Sequence, residues 1–343
     1  MSTRPAVVAC GGGHGLAVTL SALTQVTDRL TAVVTVADDG GSSGRLRAEF
    51  PNLLPPGDLR MALAALAGPD TGGADWADAL QHRFPGDGPM GGHAVGNLLL
   101  AGLLDALGDP VAALDAVGRL VRARGRVLPL ATIPLDIEAD VTLPDGRELI
   151  VRGQHAVAVT PGAVGAVRLV PEAPRACAEA MDAVRAADAL VLGPGSLFSS
   201  VVPHLLVPDV RTAVLASRAR AVYILNLVPQ PGETSGFSPA RHLEVLLSHA
   251  AWLPLAAVVA DERALAASGG RADLERLVTH TGATLITAEL AAPGSTARHD
   301  PVRLGDALRR ALTEDRTQEF RPARPMDSGS AADSGVFPAT SAP

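Results

Sequence analysis

Ala6-Val7-Val8-Ala9-Cys10-Gly11-Gly12-Gly13-His14-Gly15-Leu16 is the stretch on which the fold turns: a short apolar run, a glycine cluster, then an amphipathic stretch to about Asp28. The apolar run suits one buried strand and is too short for a helix. Leu30–Val36, rich in Val and Thr, reads as the next strand and ends in a polar, glycine-rich loop. Strand, glycine turn, helix, strand is the order of a parallel βαβ unit. Working outward, strands are expected at Ala189–Leu192, Ala221–Val228, Ala256–Ala260 and Thr284–Thr287. Helices are expected near Pro174–Ala187, Ser238–Ala250, Asp273–His280 and Pro301–Thr313. Nearly continuous apolar strands suit a mostly parallel sheet with helices on both faces.

Two segments interrupt this grammar. Residues 70–92, with six Gly and two Pro, read as a polar insertion. Residues 137–159 alternate like antiparallel strands about Pro144-Asp145-Gly146, a hairpin appended to the main sheet. One α/β domain is therefore expected over 1–314. Over 315–343 the composition shifts to Arg, Pro, Ser, Gly and Ala, which predicts a disordered tail.

Composition removes whole classes of function. The chain has 343 residues, 47% hydrophobic and 19% charged, enough to bury a sizeable core. All 29 basic residues are Arg. Without lysine there is no Walker A loop, no Schiff-base or pyridoxal phosphate chemistry and no Ser–Lys dyad. A net charge of −7 argues against a nucleic-acid partner. Cys10 and Cys177 are too far apart in sequence for a CxxC pair or zinc knuckle. The uncharged run Ala189–Pro208 is broken by Pro194 and Pro203, so a strand and turn explain it better than a membrane span. A cytoplasmic protein with no membrane partner is expected.

Five segments carry chemistry. Gly12, Gly13, His14 and Gly15 follow a strand and open a helix, where close backbone approach and free N–H groups favour phosphate. The bland reading is a tight turn without ligand. Leu16 stands where the dinucleotide fingerprint needs its third glycine, which disfavours a nicotinamide dehydrogenase. In Ala37-Asp38-Asp39-Gly40-Gly41-Ser42-Ser43-Gly44-Arg45, the Asp38–Asp39 pair could hold a ribose hydroxyl or a hard cation, and Ser42 and Ser43 phosphate oxygens. The same string contains a GxSxG pattern around Ser42, but no acid–histidine partners single themselves out for a hydrolase. Asp58, in Pro56-Gly57-Asp58-Leu59-Arg60, could cap the following helix. Asn97 closes Gly92-His93-Ala94-Val95-Gly96-Asn97, which serves a site or helix packing equally well. Gly193, Gly195 and Ser196 begin a second strand–glycine–helix pocket, and Gln230-Pro231-Gly232-Glu233-Thr234 ends another strand. His242 and His249, seven apart on one helical face, lack an HExxH context and read as core or surface histidines.

In this order, these segments resemble the gluconeogenesis factor family, the YvcK-type proteins within the 2-phospho-lactate transferase (CofD-like) superfamily. The resemblance runs from residue 6 to about 310, with ADDGGSSGRLR its most specific part. It implies a Rossmann-like CofD fold and a cytoplasmic protein needed for cell shape and cell-wall supply on gluconeogenic carbon. It also implies a UDP-sugar ligand, chiefly UDP-N-acetylglucosamine, without a settled reaction. Carried over by motif, the phosphate loop is Gly12, Gly13, His14 and Gly15, with His14 standing where many members have Thr. The Arg of a late Arg-His-Asp segment, implicated in UDP-sugar binding, maps to Arg298. The alternative is a CofD-like phosphotransferase in which Asp38 and Asp39 position a metal or an acceptor hydroxyl. No cofactor follows from the residues themselves; Mg2+ is the cation this pair would suit, and homo-oligomer formation is left open.

Overall fold

The structure, a computed structural model, describes residues 4–313; the predicted tail over 315–343 lies outside them. Strand β1 (Ala6–Gly11) leads through helix α1 (Gly13–Leu23) to β2 (Arg29–Val34). Five helices follow: α2 (Gly41–Glu49), α3 (Pro56–Ala65), α4 (Thr71–Gln81), α5 (Val95–Leu107) and α6 (Pro110–Leu120). The chain then forms β3 (Arg126–Pro129), β4 (Asp136–Thr142), β5 (Glu148–Arg152), the short α7 (Gln154–Ala158) and β6 (Ala163–Val170). After α8 (Ala178–Ala186) and β7 (Ala189–Leu192), a π-helical turn at Leu197–Val201 runs into α9 (Val202–Leu206) and α10 (Pro208–Ala216). The last part is β8 (Arg220–Ile224), α11 (Pro239–His249), β9 (Leu255–Asp261), α12 (Glu262–Ser268), α13 (Arg271–Thr281), β10 (Thr284–Ala288) and α14 (Pro301–Thr313).

Seven strands form one parallel sheet in the order β10-β9-β8-β7-β1-β2-β3. Val7 of β1 faces Leu30 of β2 on one side and Ala189 of β7 on the other. The order reverses between β1 and β7, and in such sheets ligands bind outside the carboxyl ends of the strands at that point. β7 and β9 are buried along their whole length, as the Val, Leu and Ala residues that fill them up to Asp261 at the end of β9 require. Helices start where the sequence supplies caps: Asp109 accepts from Val111 and Ala112 ahead of Pro110, and Ser238 from Arg241 ahead of Pro239. Among the described residues, no helix is long and apolar enough to cross a membrane.

Three sequence expectations change. The hairpin of residues 137–159 is not appended to the main sheet. β4 pairs antiparallel with both β5 and β6, giving a separate three-stranded sheet in the order β5-β4-β6. Alternating Ile137, Ala139 and Val141 need cover on one face, whereas the main sheet consumes strands apolar on both. Residues 154–158 of that stretch are helical, not extended. The insertion of residues 70–92 contains α4, started by Asp70, whose carboxylate accepts the Gly73 N–H at 2.8 Å. The polar stretch from Gly41 is not loop but α2, and it buries Ser42 and Ser43.

Candidate functional site

The two glycine turns predicted after β1 and β7 meet at the switch point. A Cβ on Gly15 would overlap the Pro194 carbonyl, so glycine there lets the turns pack against each other. A Cβ on Gly193 would come within 3.1 Å of the Thr19 hydroxyl, a tight contact but not an overlap. Gly195, at φ +138°, is clasped by Asn226, which accepts its N–H at 2.7 Å and donates to its carbonyl at 2.8 Å. Above these turns lies a cavity of about 420 Å3. His14 and Gly15 form one wall, Gly195 another, and Gln230 and Arg298 close it from the loops after β8 and β10. His14 and Arg298 are both exposed there.

Each turn's amide donors face a carboxylate from elsewhere in the chain. Asp58 accepts from the Gly13 N–H. A side chain on Gly12 would collide with Asp58 Oδ2 and with the Thr35 methyl. Asp58 therefore bridges to the start of α1 and does not cap α3, the role its position suggested. Glu233, fully buried, accepts the N–H groups of Phe198 and Ser199 at 2.6 and 2.9 Å. Burial raises the Glu233 carboxyl above its ordinary range, against the hydrogen bonds from Ser196, Phe198 and Ser199 that favour its charge.

The Asp38–Asp39 pair is split. Asp39 Oδ1 accepts the His155 N–H at 2.8 Å, so it anchors the start of α7. Asp38 turns the other way, accepting from Gly40 at 3.0 Å and crowding Gly57, where a Cβ would strike Asp38 Oδ2. The carboxylates that act on each other are Asp38 and Asp58. Burial first, then the Asp38 charge, raises the Asp58 carboxyl to about 7, opposed by the Gly13 N–H and Arg60. Such a pair suits Mg2+, which keeps its waters and takes one or two carboxylates. No cluster of three or more His, Cys, Asp or Glu that could hold a metal occurs among the described residues.

Ser42, Ser43 and Asn97 stand behind this pair, not in the cavity. Ser42 Oγ bonds His93 Nδ1 at 2.9 Å and accepts from Asn97 Nδ2 at 2.9 Å. Asn97 in turn accepts from Arg60 Nε at 2.8 Å, and Ser43 accepts the Gly57 N–H at 3.0 Å. Arg60 is buried with Nη1 unpartnered, and burial lowers its guanidinium to about 10. The buried Thr35 hydroxyl beside Gly12 is also unpartnered. The structure thus groups His14, Gly15, Gly195 and Arg298 around one cavity. Asp38, Ser42, Ser43 and Asn97 form a polar cluster around Asp58, with Gly12 and Gly13 between the two. Asp58, Arg60, His93, Asn226 and Glu233 complete the site without having been picked as site residues; Asp58, Arg60, His93 and Glu233 stood in motifs already quoted.

The fold and site define a doubly wound, Rossmann-like α/β protein with a glycine-lined cleft at its switch point. The chain belongs to the CofD family: residues 7–300 match the family described as 2-phospho-L-lactate transferase CofD. A Mycobacterium tuberculosis protein provisionally named a gluconeogenesis factor is 52% identical over 88% of this chain and 89% of its own. The gluconeogenesis factor of Listeria innocua is 40% identical over 72% of this chain and 74% of its own. A crystal structure of a UPF0052 family member from Bacillus halodurans superposes with a TM-score of 0.78 at 33% identity, covering 90% of this chain and 99% of that one.

Proposed function

We propose that this chain is a cytoplasmic gluconeogenesis factor that binds a UDP-sugar, chiefly UDP-N-acetylglucosamine, and supports cell shape and cell-wall supply during gluconeogenic growth. The observation that carries the reading is the cavity of about 420 Å3 that joins both glycine turns to Arg298. Its size falls in the range of small-molecule sites, roughly 300–1,000 Å3. Arg298 supplies a cation on the side opposite the turns, as a diphosphate between them would need. Isothermal titration of the full chain with UDP-N-acetylglucosamine tests this. Saturable binding in the micromolar range is expected, and no binding at millimolar ligand would end the proposal.

One observation favours the phosphotransferase reading: the Asp38–Asp58 pair beside the glycine turn. A carboxyl poised near neutrality can take the proton of an attacking hydroxyl. On this reading Asp58→Asn abolishes product formation while sugar-nucleotide binding survives.

A further inference from the structure

The separate three-stranded sheet ends in an open edge. β5 pairs with β4 on one side, and among the described residues no strand lies along its other side. Hydrogen bonds at both ends of the hairpin show which residues face inward. The Leu143 N–H donates to the Arg147 carbonyl, and the Gly153 N–H to the Ile137 carbonyl. Hydrogen-bonded pairs alternate along an antiparallel ladder, so Leu149 and Val151 also bond toward β4. The N–H and C=O groups of Glu148, Ile150 and Arg152 therefore point outward, a template for one more strand.

Such edges are normally blunted by Pro, Lys, a bulge or a covering element. β5 reads Glu148-Leu149-Ile150-Val151-Arg152 and pairs with β4 without a register shift. Ile150, at its centre, is 64% exposed. The two charges are opposite in sign, and each stands two residues from Ile150. Arg152 reaches Asp136 and Glu138 yet stays half exposed, while Glu148 is exposed and makes no ion pair among the described residues.

This pattern is complementary to itself. Pair β5 antiparallel with a second β5 about Ile150, and Glu148 of each copy lies opposite Arg152 of the other. The three outward-facing residues then meet outward-facing residues, as hydrogen-bonded pairs require. Ile150 packs on its own counterpart, and Leu149 stands opposite Val151 on the other face. A slip of one residue sets outward groups against inward ones, and a slip of two sets Ile150 against a charge.

We infer that β5 is a self-association edge through which two copies of this chain join about a two-fold axis, giving one sheet in the order β6-β4-β5-β5-β4-β6. Two five-residue strands bury well under the roughly 1,600 Å2 of a standard interface, so the dimer is weak and concentration-dependent.

The test is sedimentation of the full chain from about 1 to about 500 µM, where the average mass should rise from one chain toward two. Ile150→Pro removes the central outward N–H while sparing the β4 ladder, and should stay monomeric. Glu148→Arg, at an exposed residue without an ion pair, gives the same reading should the proline variant not fold. It sets like charges opposite each other at both ends and should weaken association at least about tenfold. Cross-linking checks the register, and the native Cys10 and Cys177 are buried. Mild oxidation should link Ile150→Cys into dimers much faster than Leu149→Cys, whose two copies lie diagonally apart, beyond the ~7 Å that a disulfide spans. A single-chain mass at the highest concentration overturns the inference. So does association undiminished in Ile150→Pro or Glu148→Arg, which would place the contact on another face, or equally fast cross-linking of the two cysteine variants.

Discussion

The Asp58 carboxylate occupies the space into which a side chain on Gly12 would project, and it accepts the N–H of Gly13. A glycine turn at a helix N-terminus is a ready anion site. Here the chain brings its own anion, three residues into α3, and stands Asp38 next to it. The helix start is thereby linked to the carboxylate pair, so protonation of Asp58 changes the charge felt at the glycine turn.

The first prediction concerns pH. In the unfolded chain Asp58 titrates near its ordinary 3.8; in the fold it is raised to about 7. A raised carboxyl binds its proton more tightly in the native state. The stability it contributes is full below about 4 and is lost as pH rises through about 7. Asp58→Asn, which keeps an oxygen for Gly13, should melt above wild type at pH 8 by an amount equivalent to about 1–3 kcal/mol. At pH 4 the advantage should disappear. Melting curves of both proteins across this range decide it, and parallel curves would show that Asp58 is not raised.

The second prediction separates two adjacent aspartates. Asp39→Ala removes the acceptor for His155 N–H and should cost about 0.5–2 kcal/mol, as other capping losses do. Hydrogen exchange should quicken at residues 154–158. Asp38→Asn should leave that exchange unchanged and lower the apparent pKa of Asp58 instead. Identical exchange profiles in the two variants would contradict the split.

Much of this fold was readable because parallel strands and their helices announce themselves locally. Ala189–Leu192 and Pro301–Thr313 agree with the sequence reading residue for residue, since Asp188 and Gly193 bound the strand and Asp300 with Pro301 open the helix. The glycine turns were legible for the same reason. What they face was not. Which carboxylate reaches Gly13 depends on how α3 packs on α1, and nothing within Pro56–Arg60 distinguishes a helix cap from a bridge to another element. The antiparallel sheet was half legible: Pro144-Asp145-Gly146 marks the β4–β5 turn, but β6 finds its partner across a helix and carries no turn signal.

The third prediction compares two glycines. A methyl at Gly15 would meet the Pro194 carbonyl, so Gly15→Ala must separate the two turns. Overpacking of this kind costs about 1–3 kcal/mol. At ~2–4 °C per kcal/mol, the melting temperature should drop by several degrees. Gly102, exposed in α5, has nothing within 4 Å of its would-be Cβ and no positive φ. Gly102→Ala should raise stability by ~0.5–1 kcal/mol through helix propensity. A loss at Gly102 matching that at Gly15 would remove the packing explanation.

The last prediction isolates the ligand cavity from the fold. Gly13 has φ +57°, so a branched residue there is strained whatever it does to a ligand, and its loss of binding would be ambiguous. Arg298 offers a cleaner substitution. It is exposed, and among the described residues its guanidinium makes no hydrogen bond or ion pair, so Arg298→Ala should melt at the wild-type temperature without ligand. A ligand at about a hundred times its dissociation constant stabilises the native state by about 2.7 kcal/mol, a melting shift of roughly 5–11 °C at this size. Wild type should show that shift with UDP-N-acetylglucosamine. Arg298→Ala should lose most of it, because a charge-assisted contact to a phosphate contributes about 1.5–3 kcal/mol. His14→Thr should retain most of it, since the backbone of the turn does not change. A full shift in Arg298→Ala would remove that residue from the site, and a shift lost only in His14→Thr would move the phosphate contact onto the imidazole.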